Sequence, residues 1–128
     1  MRYAALCLVT CALVAAGGAH AIDSKNRYLI LGPGSNSCSV VLTDLAEGIK
    51  RKNDAAEIIY SMWLSGSLSG YDHEAKGTYS ILGDMSFNEA FAWTLDFCKE
   101  HPQSIYSAAV DAFIAEYRDD RYKTKPED

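Results

Sequence analysis

The chain has 128 residues, 12 Lys and Arg against 17 Asp and Glu, and a formal net charge of −5 at neutral pH. That balance argues against nucleic acid as a partner, because neutralising phosphates takes clustered Lys and Arg. It disfavours anionic membrane surfaces for the same reason.

Residues 1–21, MRYAALCLVTCALVAAGGAHA, read as a cleaved signal peptide. Arg2 supplies the positive end, residues 3–16 an apolar run, and Ala19-His20-Ala21 a small-x-small cleavage site. The run is too short for stable membrane insertion, which takes about 20 apolar residues. The mature chain is expected to begin at Ile22, to form a single helical domain over residues 22–128 with polar ends, and to reside in the periplasm. Loss of Arg2 leaves 11 basic residues against 17 acids, a net charge of −6. Cys7 and Cys11 leave with the leader, so only Cys38 and Cys98 reach an oxidising compartment. One intramolecular pairing is then available, worth about 4 kcal/mol in the chain-entropy description; free thiols or an intermolecular bridge are the alternatives.

Beyond a polar lead-in, residues 28–31 form a short extended segment and LGPGSNSC follows as a turn. This turn has neither the Lys that a phosphate-binding loop needs after its last Gly nor the third Gly of a dinucleotide fingerprint. Its expected role is to deliver Cys38 to a helix start, with Gly34 free to adopt positive φ. Residues 40–52 are predicted as the first helix, capped by Ser37 or Ser39, with Leu42, Leu45, Ala46 and Ile49 on its apolar face. The second helix is predicted over residues 54–68, burying Ile58, Ile59, Met62 and Trp63. Ser65, Gly66, Ser69 and Gly70 would make a small face for close approach by a neighbouring helix. Residues 71–83 then read as a polar loop containing Asp72-His73-Glu74.

Ser86-Phe87-Asn88-Glu89 has capping-box spacing and opens a third helix. Phe87, Ala90, Phe91, Thr94 and Cys98 form its inward stripe, and His101-Pro102 ends it. Ser104 is expected to cap a fourth helix carrying Ile105, Ala108, Ala109, Ala112, Phe113 and Tyr117 on one face. The tail RDDRYKTKPED reads as charged and frayed. The fold class is therefore all-α: a small four-helix domain stapled by one disulfide, with a short extended N-terminal segment.

Chemistry is sparse. The mature chain has only His73 and His101, no G-x-S-x-G nucleophile motif, and no second ligand cluster beside Asp72-His73-Glu74. No catalytic residue, cofactor or metal is expected. Acid pairs such as Asp44/Glu47 and Asp119/Asp120 read as solvated faces. The large aromatics are the better candidates for contact with another protein: Trp63, Tyr71, Tyr79 and Trp93. Trp93 lies off the third helix's stripe, and Tyr60, Tyr71 and Tyr79 are expected to form an aromatic patch.

The ordered strings GPGSNSC, WLSGSLSGY, TYSILG and FCKEHP, followed by an Ala-rich last helix, resemble a family of small secreted proteobacterial proteins without a settled activity. Val40-Val41 and Asp72 depart from it, standing where an aromatic and an Asn belong. The chain is also distantly similar to two better-understood groups. The HdeA/HdeB acid-stress chaperones are small periplasmic helical proteins with one disulfide, which Cys38 and Cys98 would match. The Tai/Rap immunity proteins of type VI secretion bind and block a toxic effector. These resemblances imply a non-enzymatic periplasmic protein-binding domain, immunity- or inhibitor-like, with an HdeA-like chaperone as the alternative. The partner would be an effector or an unfolded client, with a homodimer also open.

Overall fold

The computed structural model describes residues 23–25 and 27–127; the expected signal peptide lies outside the described residues. Within them the chain is all-α, with four helices and no named strand: α1 (Cys38–Arg51), α2 (Ala55–Glu74), α3 (Phe87–Glu100) and α4 (Tyr106–Tyr117). The segment at residues 28–31 is irregular and leads into a 3-10 turn, Gly32–Ser35. No helix among the described residues is long and apolar enough to cross a membrane.

Ser37 caps α1, its side chain accepting from the Val40 N–H. The Cys38–Cys98 disulfide joins the first residue of α1 to the last turn of α3, across 60 positions and with Cα atoms 4.8 Å apart. Facing Cys38 toward Cys98 fixes the rotation of α1, so Val41, Leu42 and Leu45 follow inward at helical spacing. Ile49 continues that stripe but overhangs the end of the core, and Ala46 is exposed.

The second helix departs most from expectation. It runs two turns further, to Glu74, so Asp72-His73-Glu74 is its last turn and not a loop. It buries Tyr60, Leu64 and Leu68, whereas Ile58, Ile59 and Met62 face outward. The physical reason is the length of each stripe. The Tyr60/Leu64/Leu68 row continues to the half-buried Tyr71, while the Ile58/Ile59/Met62 row gives way to Ser and Gly after one turn. A long helix is oriented by the row that packs along more of its length. The small face is correspondingly exposed, with no helix of the described residues packed on it: a Cβ built at Gly66 or Gly70 meets nothing within 4 Å.

Ser86 and Glu89 form the complete capping box at the start of α3, which buries Ala90, Thr94 and Cys98. Ser104 does not cap α4. Instead the two helix entries satisfy one another through backbone: the Cys38 N–H donates to the Ser104 carbonyl (2.7 Å), Ser39 to Pro102 (3.0 Å) and Tyr106 to Asn36 (2.8 Å). Ile105 thereby sits outside α4 and is partly exposed, and Tyr106, Ala109, Val110 and Phe113 form the buried row.

The tail is clamped as far as Tyr122, contrary to the frayed reading. Its carbonyl accepts from Tyr79 (2.7 Å) and Ser80 (3.2 Å), its N–H donates to Ser80 (2.9 Å), and its hydroxyl bonds Asp84. Gly83 is required there, with φ +54° and no room for a Cβ beside the Asp120 carbonyl. The core has two parts, one around Cys38, Tyr60, Cys98 and Tyr106, the other around Leu64, Ile81, Val110 and Phe113. Trp63 and Phe91 pack against both.

Candidate functional site

Trp63 holds the N-terminal segment. Its indole N–H donates to the Leu31 carbonyl (3.3 Å), and the ring tilts against Tyr106 at 5.7 Å. The face of Gly34 lies so close that an added Cβ would fall 1.9 Å from the ring. Close approach is therefore what glycine provides at 34, while the positive φ falls at Gly32 (+69°).

Tyr71 joins Trp63 in lining a cavity of about 350 Å³ beneath residues 28–31, with Val110, Asp111 and Ile114 on the α4 side. Tyr28 reaches across it to donate a 3.2 Å hydrogen bond to Asp111. The cavity is thus partly roofed by the chain's own segment. Trp93 is half-buried, stacked on Phe97 and edge-on to Phe113 and Tyr117. Tyr79 is exposed next to the C-terminal clamp.

The expected Tyr60/Tyr71/Tyr79 patch does not form. Tyr60 belongs to the first core part, donating to Asp44 (2.7 Å) and accepting from the Asn36 amide (2.9 Å), whereas Tyr71 packs on the second. Burial, then the Asp44 bond, raises the Tyr60 pKa. Tyr106 is pushed further, to about 12, chiefly by burial.

A further apolar opening lies where the α1–α2 turn faces the first half of α3. Leu45 and Ile49 of α1, Ala56 of α2, and Phe91 and Leu95 of α3 line a groove of about 500 Å³. Lys52, Asp54, Glu57 and Asn88 stand around it. Ile49 is 80% exposed, so the groove carries a large aliphatic side chain with most of its surface in water. An apolar floor inside a polar rim suits an apolar side chain or helix face of another protein. The sequence reading did not point to this place: Ile49 was expected on the apolar face of α1, and none of Trp63, Tyr71, Tyr79 and Trp93 lines the groove.

His73 Nδ1 lies 2.7 Å from Glu74 with both side chains exposed, and His101 rests on the Phe97 ring. Among the described residues no three His, Cys, Asp or Glu side chains converge as metal ligands would. Asp72 is used structurally, its carboxylate accepting from the Ile81 N–H (2.7 Å), and burial raises its pKa against that bond.

No family model, curated protein or solved structure matches the chain.

Proposed function

We propose that this chain is a non-enzymatic periplasmic protein-binding domain, immunity- or inhibitor-like, whose groove between α1, α2 and α3 receives an apolar segment of its partner. The observation that carries this reading is the open groove floored by Leu45, Phe91 and Leu95, with Ile49 exposed at its mouth. A stapled helical scaffold keeps such a groove formed before binding, which limits the ordering cost of association. The net charge of −6 expected for the mature chain would steer a basic partner toward it. The resemblance to effector-blocking immunity proteins points the same way. Capture from a periplasmic extract on the immobilised, oxidised protein tests the proposal. A partner retained by the wild type should be lost about tenfold or more with Ile49→Asp, as for an interface hot spot. Equal retention by both proteins would refute the groove.

A specific observation also favours the acid-stress chaperone as second reading. Three Tyr–Asp hydrogen bonds tie segments distant in sequence: Tyr28 to Asp111, Tyr60 to Asp44 and Tyr122 to Asp84. Protonation removes the charge that strengthens such bonds. Full protonation of the 17 acids and both mature His residues would take the chain from −6 to +13. Self-repulsion could then loosen the helices around the intact disulfide. Light scattering of an aggregating client at about pH 2–3 separates the readings, because suppression that is lost on reduction belongs to the chaperone alone.

A further inference from the structure

We propose that the cavity beneath residues 28–31 is a binding site for a small amphipathic cation, an amine whose apolar body fills the space and whose ammonium meets Asp111. Two helices build its walls from rows at helical spacing. Trp63, Ser67 and Tyr71 follow one another four residues apart along α2. Ser107 and Asp111 stand one turn apart on α4, with Val110 and Ile114 beside them. The segment from Tyr28 to Leu31 roofs the space between the two rows.

The lining is that of a ligand site and not of a packing defect. A void left by imperfect core packing is apolar throughout and stays dry. Here Val110, Ile114 and two aromatic rings are joined by two serine hydroxyls and a carboxylate. Ser107 is only 5% exposed. Its hydroxyl takes part in no side-chain hydrogen bond among the described residues, where no buried side-chain oxygen is sealed off without a partner, so it opens onto the cavity. Ser67 donates to the Trp63 carbonyl (2.9 Å), which leaves its oxygen able to accept from a ligand. At about 350 Å³ the space lies at the lower end of ligand-sized cavities. It holds about a dozen non-hydrogen atoms, taking each as a water's share of about 30 Å³.

Charge selects the ligand. Asp111 is the one charged residue on the lining, and no Lys, Arg or His stands there among the described residues. A carboxylate or phosphate ligand would meet like charge with no cation to hold it. An ammonium instead brings three donors toward Asp111, Ser67 and Ser107. Aromatic faces such as those of Trp63 and Tyr71 favour a cation as well. Tyr28 already marks the position: its hydroxyl donates to Asp111 at 3.2 Å, a neutral donor where a charged one binds more strongly.

The roof is weakly tied. Besides that bond it is held by the Trp63 indole N–H, which donates to the Leu31 carbonyl at 3.3 Å. Leu29 and Leu31 are 81% and 72% exposed, so little of the roof is packed into the core. A ligand enters by displacing it. No residue lines both this cavity and the groove between α1, α2 and α3, so the inference stands independently of the protein-binding reading.

Calorimetric titration of the processed, oxidised protein near neutral pH tests the proposal with three probes of equal chain length: n-octylamine, n-octanol and octanoate. Salt at about 0.15 M screens non-specific attraction of the amine to the acidic surface. Octylamine should bind with a Kd below about 1 mM, octanol more weakly, and octanoate at least tenfold more weakly than the amine. Asp111→Asn should erase the preference for amine over alcohol while circular dichroism shows an intact helical fold. Ser67→Leu, which fills the cavity and keeps the charge, should weaken octylamine at least tenfold. Amide chemical shifts should move in residues 28–31, 63–71 and 107–114. Octylamine that fails to bind below about 1 mM overturns the proposal, as does octanoate that binds as tightly. So does an amine preference that survives Asp111→Asn, or octylamine binding undiminished by Ser67→Leu. Shifts confined to the groove between α1, α2 and α3 overturn it too, since that apolar opening also has acids, Asp54 and Glu57, around it.

Discussion

Gly34 and Trp63 illustrate how single residues fix this structure. With a Cβ at 34 falling 1.9 Å from the indole, Gly34→Ala must displace the ring or the turn. Overpacking of this kind costs about 1–3 kcal/mol, and it would loosen the hydrogen bond from Trp63 to Leu31. Chemical denaturation should read the loss, with residues 28–31 exchanging their amides faster. Asp72 makes a second local tie. Ile81 is fully buried, and its N–H is satisfied by the Asp72 carboxylate. Asp72→Ala strands that donor and should cost about 1–3 kcal/mol, whereas Asp72→Asn, which keeps an acceptor oxygen, should cost less in the same assay.

Titration provides a further check at this scale, and its sign follows from the burial of Tyr106. Its pKa is raised to about 12, so the fold favours the protonated phenol. The corresponding stability is fully present below the unfolded value of about 10 and is lost as pH rises through about 12. Ultraviolet tyrosine titration should therefore show a phase in which phenol ionises only as the protein unfolds in alkali, and Tyr106→Phe should diminish that phase. In acid the carboxylates act in opposite senses. Glu89 is held below its usual range by the Ser86 hydroxyl and backbone N–H, so its contribution is lost as pH falls. Asp72, raised by burial, favours the fold more when protonated.

Among the elements, α2 carries the clearest test of how the fold is assembled. Leu64→Ala, at a fully buried position, should cost about 2–5 kcal/mol. Ile58→Ala, on the outward face, should change stability by no more than about 0.5 kcal/mol. Both are read from denaturation midpoints, and the opposite ranking would contradict the orientation of α2. This helix also marks the limit of what the sequence made legible. The capping box of α3, the Ser37 cap and the Ala90/Thr94/Cys98 stripe are local patterns, and they fold as they read. Within α2 two apolar rows compete over residues 58–64, and only the packing of Leu68 and Tyr71 beyond them decides between the two. The clamp between Ser80 and Tyr122 was invisible for another reason: three of its bonds are backbone ones, and its side-chain tie from Tyr122 to Asp84 joins residues 38 positions apart with no local pattern to mark it. Of the candidate aromatics, Trp63 and Tyr71 meet at one cavity because α2 extends to Glu74, a length hidden by its glycines.

Across the whole molecule, the disulfide and the paired helix entries converge on one end of the fold, where Cys38, Ser39 and Tyr106 all find their backbone partners. The groove lies at the other end of α1, at the turn into α2. The scaffold is thus stapled at one end and left open at the other, an arrangement that suits reception of a partner. Reducing Cys38–Cys98 should destabilise the protein by about 2–5 kcal/mol, observable as a lower denaturation midpoint. The groove itself could not be read along the chain, since Ile49, Ala56, Phe91 and Leu95 come from three helices and become neighbours only after folding.

Amide hydrogen exchange with and without the captured partner tests the central claim most directly. Binding in the groove predicts slowed exchange in residues 45–57 and 88–95, on the three sides of the opening. Protection confined to residues 28–31 and α4, around the cavity lined by Trp63 and Tyr71, would contradict it.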